Sequence, residues 1–522
     1  MAFTLKITDL IAIDTTGLLA KHESWERVPL TEVAAILNGA PFDSSLFSHT
    51  KGFPLVRIRD VLEGSTSTYY NGDYEENYVV AKGDLLIGMD GDFHCAFWKS
   101  PQALLNQRVC KVAANEKFYL TSFLAHVLPG YLAAINAHTP SITVKHLSSK
   151  TIAAIDLPLP PLAEQARIVD KLEELLSDLD AGVAELKAAQ KKLAQYRQSL
   201  LKAAVEGRLT EAWRAQHGEP EESGAQLLAR ILRERRARWD AKQLAKFAAQ
   251  GKVPIGGWQE KYPVPATADV EQLPELPAGW AWTTADALIA DIETGKSFKC
   301  EERPPRAGEI GVAKVSAVSW GEYNEQESKT CVDASKVNAS LFVRAGDFLF
   351  SRANTIELVG ACVIARDVSM PVMLSDKTLR FVLALGELKR WLLAFLRSEF
   401  GRSQIELLSS GNQESMRNIG QERIRQIAVP LPPASELEEI LACLTGAVDA
   451  ERAQSASIEH ALRQSAAQRK NILQAAFSGQ LVPQDPNDEP ASVLLERIRA
   501  ERAAQGGAKK PRGRRPSAKE AA

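Results

Sequence analysis

The 522-residue chain holds no apolar run of the roughly 18–20 residues that a membrane-spanning helix needs. Its most apolar C-terminal stretch, FVLALGELKRWLLAFL, is interrupted by Glu387, Lys389 and Arg390. The opening MAFTLKITDLIAIDTT lacks the basic start and small-residue cleavage site of a secretory signal, so a cytoplasmic protein is expected. The six cysteines (Cys95, Cys110, Cys300, Cys331, Cys362 and Cys443) include no C-x-x-C pair. Zinc-site spacing is therefore missing, and ordinary buried thiols are the reading. No two glycines are separated by one residue, which excludes a G-x-G turn for a dinucleotide or S-adenosylmethionine loop. TGKS at Thr294–Ser297 fails as a phosphate loop, because the leading glycine would fall at Ala290. H-E-x-x-H, G-x-S-x-G and Pro-Asp are absent as well. No catalytic residue, metal ligand or cofactor site is assigned.

An excess of positive charge is also missing: 63 Lys and Arg stand against 65 Asp and Glu, for a net charge of −2. If the partner is DNA, its contacts must be confined to particular faces or shared with other subunits. What is present is a globular composition, 45% apolar and 25% charged, in a chain too long for one core. Two to four domains are expected.

The chain is internally duplicated. PLPPLAEQARIV begins at Pro158 and PLPPASELEEIL at Pro430, and each lies 49 residues before a glycine, Gly207 or Gly479. SLLKAAVEGRLT and NILQAAFSGQLV align without a gap, and GAQLLARILRERRARW resembles ASVLLERIRAERAAQG. Upstream, VAKGDLLIGMDG resembles VRAGDFLFSRAN, and LLNQRVCKV resembles LSDKTLRFV. Each half thus reads as a variable globular region, PLPP, a long helix, a glycine stop and a short charged helix.

The first helix carries leucines every seven residues: Leu172, Leu179, Leu186, Leu193 and Leu200. Leu176, Val183 and Tyr196 fill intervening steps, which makes a narrow seam suited to another helix. The second helix, from about Ser435 to Phe477, has Leu444, Val448, Ile458, Leu462 and Ile472 on its seam. Glu451, Ser455 and Ser465 interrupt it, so its natural partner is its own duplicate. KYPVPATADVEQLPELPAGW reads as a linker, and GGAKKPRGRRPSAKEAA as a disordered basic tail.

The globular halves carry strand-like runs, among them FPLVRIRDVL, NYVVAKGDLLIGM, EIGVAKVSAV and GACVIARDV, with a turn at Asn71–Gly72. Polar loops, NAHTPSITVKHLSSK and SSGNQESMRN, occupy matching places ahead of each PLPP. Their cations and hydroxyls suit phosphates, while Arg, Asn and Gln suit guanine and adenine edges. The candidate DNA-binding residues are Arg57, Ser141, Thr143, Lys145 and His146 in the first half. Arg352, Asn354, Asn412, Gln413 and Arg417 are the candidates in the second.

Taken together, DLPLPPLAEQARIV with LLKAAVEGRL, and VPLPPASELEEI with ILQAAFSGQL, resemble the specificity subunit of type I restriction–modification systems. GDLLIGMDGDF, LLNQRVCKV, GDFLFSRANTIELVG, LPELPAGWAW and LLERIRAERA support the resemblance. It implies an α+β fold with a pseudo-two-fold internal repeat. By the same resemblance, two β-rich target-recognition domains would be joined by two long conserved helices packed as an antiparallel coiled coil. The expected divisions are a first target-recognition domain (1–157), a first spacer helix (158–210), and a short helix with the proline-rich linker (211–279). A second target-recognition domain (280–429), a second spacer helix (430–482), and a short helix with the basic tail (483–522) follow.

The resemblance further implies that each recognition domain reads one half of a bipartite double-stranded DNA site. The helices would set the spacing and dock two methyltransferase (modification) subunits. Restriction subunits, which are ATP-dependent translocases and nucleases, complete such complexes. S-adenosylmethionine, ATP and Mg then belong to the partners. Two rivals remain at this stage: a pure interaction scaffold, and a targeting subunit of some other DNA-modifying enzyme.

Overall fold

The computed structural model describes residues 3–140, 144–254, 256–319, 321–411 and 416–506. Residues 507–522, which hold most of the basic tail, lie outside it. The chain divides into two compact units, Met1–Lys187 with Glu459–Ala522, and Ala188–Ile458. Each is a mixed helix-and-sheet body built on the same plan.

In the first unit a four-stranded sheet runs in the order Ala34–Asn38, Val109–Ala114, Leu85–Gly88, Cys95–Phe97. In the second, Ile289–Thr294, Thr378–Leu383, Phe348–Ser351 and Cys362–Ile364 repeat that order strand for strand. Both units add a parallel pairing at the side, Phe53–Val56 with Ala103–Leu105 and Ile310–Ala313 with Val372–Met373. The runs LLIG and FLFS do not alternate apolar with polar residues, because these strands are buried on both faces. Asn71–Gly72 follows the strand Tyr69–Tyr70 as a bend and closes no hairpin, since that strand pairs only with earlier ones.

The Gly-Asp turn before each central strand explains one shared cation. Asp84 accepts from the Ala81 amide at 2.8 Å, and Asp347 from that of Arg344 at 2.9 Å. The same carboxylates meet Lys111 at 2.8 Å and Arg380 at 2.9 Å from the next strand. Lys111 stands opposite Leu86, and Arg380 opposite Leu349. LLNQRVCKV therefore matches residues 373–381, one residue earlier than its resemblance to LSDKTLRFV implies. Alternation of side chains decides the register, because a slip of one residue would turn the cation to the opposite face.

Pro158 and Pro430 lie inside the last strand of each head, and the next two prolines follow its end. Asp156–Leu159 pairs with Glu26–Pro29, and Ala428–Leu431 with Ala281–Thr284, each in a two-stranded sheet where proline's missing N–H can face away. A buried aromatic donor holds each proline carbonyl: Tyr119 Oη to Pro158 O at 3.1 Å, and Trp391 Nε1 to Pro430 O at 2.8 Å.

The next joint is also duplicated. Glu164 and Glu436, in the first turns of the two long helices, are each 1% exposed. Trp25 Nε1 donates to Glu164 Oε2 at 3.0 Å, and Trp280 Nε1 to Glu436 Oε2 at 2.8 Å. Gln484 completes the first cluster; Thr210, at 2.7 Å, and Arg214 complete the second. Burial pushes the Glu164 carboxyl above its usual value, opposed by the bonds from Trp25 and Gln484. A carboxylate at a helix N-terminus also meets the positive end of the helix dipole.

The long helices, Leu162–Val205 and Ala434–Phe477, have 44 residues each. Within the first unit, Leu172 and Leu176 share a core with Ile472 and Phe477, while Asp180 pairs with Arg469. Within the second, Arg197 pairs with Glu451 at 3.8 Å, while Leu201 and Val205 share a core with Leu444 and Leu437. Both segments of the pair are thus antiparallel. Leu172 and Leu444 are buried, whereas Leu179, Leu186, Leu193, Leu200, Ile458, Leu462 and Ile472 are half-buried, as expected of two helices without a third. Tyr196 is not a seam residue: it is 53% exposed, and Arg197 turns inward to the polar seam position Glu451. Gly207 and Gly479 end the stretch with φ of 70° and 72°, where a side chain would be strained.

Two helices follow Gly207, the short Glu211–His217 and then a longer one that GAQLLARILRERRARW opens. Gly224–Ala249 spans 26 residues, begun by a Ser223–Gln226 capping box and uninterrupted by Gly or Pro until Gly251. Its buried Arg235 bonds to Tyr262 Oη at 2.7 Å, Pro263 O at 2.9 Å and Asp286 Oδ1 at 3.2 Å. Thr284 and Trp282 donate to Ala266 O and Pro274 O, so the proline-rich segment is strapped along the second unit.

Candidate nucleic-acid interface

Each unit turns sharply after its central strand, and the polar loop ahead of PLPP pairs with that turn. In the first unit Leu147 N donates to Met89 O at 2.7 Å, Asp90 bridges His146, and Gly91 N donates to Lys145 O at 3.0 Å. In the second, Ile419 N donates to Arg352 O at 2.9 Å, Ala353 pairs with Asn418, and Asn354 with Arg417. The backbone places Lys145 and Arg417 at equivalent positions, and His146 and Asn418 likewise. Ser141, Thr143, Asn412 and Gln413 lie outside the described residues.

The two cations brace their loops. Lys145 Nζ donates to Asn136 O at 2.7 Å and Asn136 Oδ1 at 2.9 Å, closing the last turn of the helix Thr121–Ala137. Arg417 donates to Ser409 Oγ at 3.2 Å and Gly411 O at 2.8 Å. Each keeps donors to spare. His146 Nδ1 lies 2.6 Å from Asp90 Oδ1, whose other oxygen faces Arg108 at 3.4 Å. Arg57 is exposed past the strand Phe53–Val56, and no recorded contact joins it to Lys145 or His146.

The second unit shows more. Asn354 opens onto a cleft of about 540 Å³, lined also by Ser297, Cys300, Lys314, Lys329 and Lys377. Among the described residues, the side chains of Lys296, Lys299, Lys314, Arg352 and Lys377 have no ion-pair partner, although most arginines elsewhere in this unit are paired. The acid at the cleft, Asp376, accepts from Ser297 Oγ at 2.7 Å. The cleft can therefore offer a polyanion several cations together with the amide of Asn354.

Sequence reasoning missed Lys314, Lys377, Arg108 and the TGKS pair Lys296–Ser297. The signal for two of them was present: Met89 N donates to Arg108 O and Arg352 N to Lys377 O, both at 2.9 Å, so Arg108 and Lys377 are duplicates. The one-residue offset in the sequence match concealed that. Among the described residues no group of three His, Cys, Asp or Glu could hold a metal, and no helix is long and apolar enough to cross a membrane.

The two units are copies of one fold, each setting a basic side chain beside a polar loop. Comparison with known proteins gives the family. The model for the type I restriction modification DNA specificity domain matches residues 22–188. The type I restriction enzyme EcoBI specificity subunit of Escherichia coli is 33% identical, over 98% of this chain and 99% of its own length. The EcoKI specificity subunit of Escherichia coli (strain K12) is 24% identical, over 94% of this chain and 98% of its own. A solved chain, reported under "Structural basis underlying complex assembly and conformational transition of the type I R-M system", shares the fold. Its TM-score is 0.52 at 18% identity, covering 88% of this chain and 98% of that one. The chain belongs to the specificity subunits of type I restriction enzymes. It is thus a non-catalytic DNA-recognition subunit of a restriction–modification complex.

Proposed function

We propose that each unit reads one half of a bipartite double-stranded DNA site and that the paired helices set the unread spacing between the halves. The observation carrying this reading is the matched placement of Lys145 with Arg417, and of Arg108 with Lys377, around turns of identical backbone pairing. Phosphate contacts from such cations fix position on a duplex, and the neighbouring amides and guanidinium groups read base edges. Two related readers on one chain suit a site read in two parts.

In this reading Ser141, Thr143, Asn412 and Gln413 of the polar loops meet the DNA together with Arg57, His146, Arg352 and Asn354. The long helices dock two methyltransferase subunits, and restriction subunits complete a cytoplasmic complex. This chain holds no cofactor; S-adenosylmethionine, ATP and Mg serve the partners. The test is exchange of residues 25–157 for those of another family member, followed by methylome sequencing. One half-site should change and the other persist; alteration of both refutes the two-reader scheme.

A further inference from the structure

We propose that Cys300 and Cys331 form a redox-closable cross-strand pair at the rim of the cleft in the second unit. Glu301 and Thr330 exchange both backbone hydrogen bonds at 3.0 Å, so they are a hydrogen-bonded antiparallel pair. Residues 302 and 329 are then opposite on one side, which the 2.5 Å contact of Lys329 Nζ with Glu302 Oε1 supports. On the other side 300 and 331 come next; continued in the same register they form a non-hydrogen-bonded pair, for which Cα atoms about 4.5 Å apart and side chains on one face are expected. A disulfide spans Cα separations of about 4.4–6.8 Å.

Both thiols are half-buried, within reach of a small oxidant. Burial, and then the neighbouring Cys331 sulfur, raise the Cys300 thiol above its ordinary value. Cys95 and Cys110 supply an internal contrast. Both face Ile87, one on each side of the central strand, so two strand spacings, about 9.5 Å, separate them. They cannot be bridged without moving the sheet.

With hydrogen peroxide as oxidant, one thiolate attacks a peroxide oxygen, the O–O bond breaks, and hydroxide leaves to be protonated to water. The second thiol then displaces the hydroxyl of the sulfenic acid as water, forming the S–S bond. Two electrons pass from the sulfur pair to peroxide, which ends as two waters. Because Cys300 lines the cleft beside Lys314 and Lys329, closure ties the cleft rim to the strand Ser328–Cys331. Its regulatory meaning rests on the reading of this cleft as DNA-facing.

The full chain is oxidised with peroxide, digested without reduction and mapped by mass spectrometry. A Cys300–Cys331 peptide, lost in Cys331→Ser and reversed by dithiothreitol, is expected, without a Cys95–Cys110 link. Closure should quicken as pH rises. Persistence of both as unlinked thiols or sulfinic acids in a chain still folded by circular dichroism overturns the pair. A second arm repeats the oxidation with saturating genomic DNA, which should slow thiol loss. A linked pair formed at an unchanged rate leaves the disulfide standing and refutes the DNA-facing cleft.

Discussion

Removing one hydrogen-bond donor tests the duplicated tryptophan–glutamate joint. Trp280→Phe keeps most of the ring but deletes the indole N–H that reaches Glu436 Oε2 at 2.8 Å. Because Glu436 is 1% exposed, no water readily replaces the donor. A hydrogen bond to a charged acceptor contributes about 1.5–3 kcal/mol. The smaller ring adds a packing loss of about 1 kcal/mol. Trp280→Phe should then cost ~2.5–4 kcal/mol in urea denaturation followed by circular dichroism. In a Glu436→Leu background there is no carboxylate to serve, so only the packing loss remains. The cycle should return a coupling of about 1.5–3 kcal/mol. A coupling below about 0.5 kcal/mol, the level at which independent sites add, would refute the reasoning.

The equivalent Glu164 carries a pH signature. Its carboxyl is raised in the folded unit, chiefly by burial, so the folded state holds its proton over a window where the unfolded state has lost it. Stability from this group is therefore lost as pH rises from about 4.3. Glu164→Gln should gain on wild type across that window, and a flat difference in denaturation midpoint would contradict the sign. Lys314→Ala and Lys377→Ala, which remove unpaired cations, should each reduce the slope of log affinity against log salt by about 0.9 if they meet phosphates. An unchanged slope in filter-binding titrations removes them from the interface. Four residues added to both long helices should lengthen the pair by about 6 Å. The unread spacer of the methylated site should then grow by roughly one to two base pairs.

Much of this fold was legible because it is written twice. The matched 49-residue intervals from PLPP to Gly207 and Gly479 locate helices that run Leu162–Val205 and Ala434–Phe477. Heptad leucines identify a seam, since periodicity is local information. Contacts between distant residues were not legible. Glu164 looks like an ordinary first-turn carboxylate until Trp25, 139 residues away, is seen to cover it. Tyr196 fits the heptad, yet the ion pair of Arg197 with Glu451 turns it outward. At the site, the matching places of the two polar loops were legible, whereas the backbone equivalence of Lys145 and Arg417 emerges only from the pairing of each loop with its strand. Lys377 was hidden by a one-residue register ambiguity that only strand pairing resolves.

The make-up of the first unit bears on how the chain is born. Phe477, Leu494, Leu495 and Ile498 pack into the core that also holds Trp25, Phe123 and Leu172. The second unit draws on the continuous stretch Ala188–Ile458. Domains ordinarily mature in the order in which the ribosome releases them. Here the head encoded first must wait for Phe477, Leu494, Leu495 and Ile498, while the head encoded second has already been released when Ile458 emerges. A nascent chain therefore carries an unfinished first head throughout the synthesis of the second. A premature stop after Ile458 would leave the earlier head without part of its core and the later one whole.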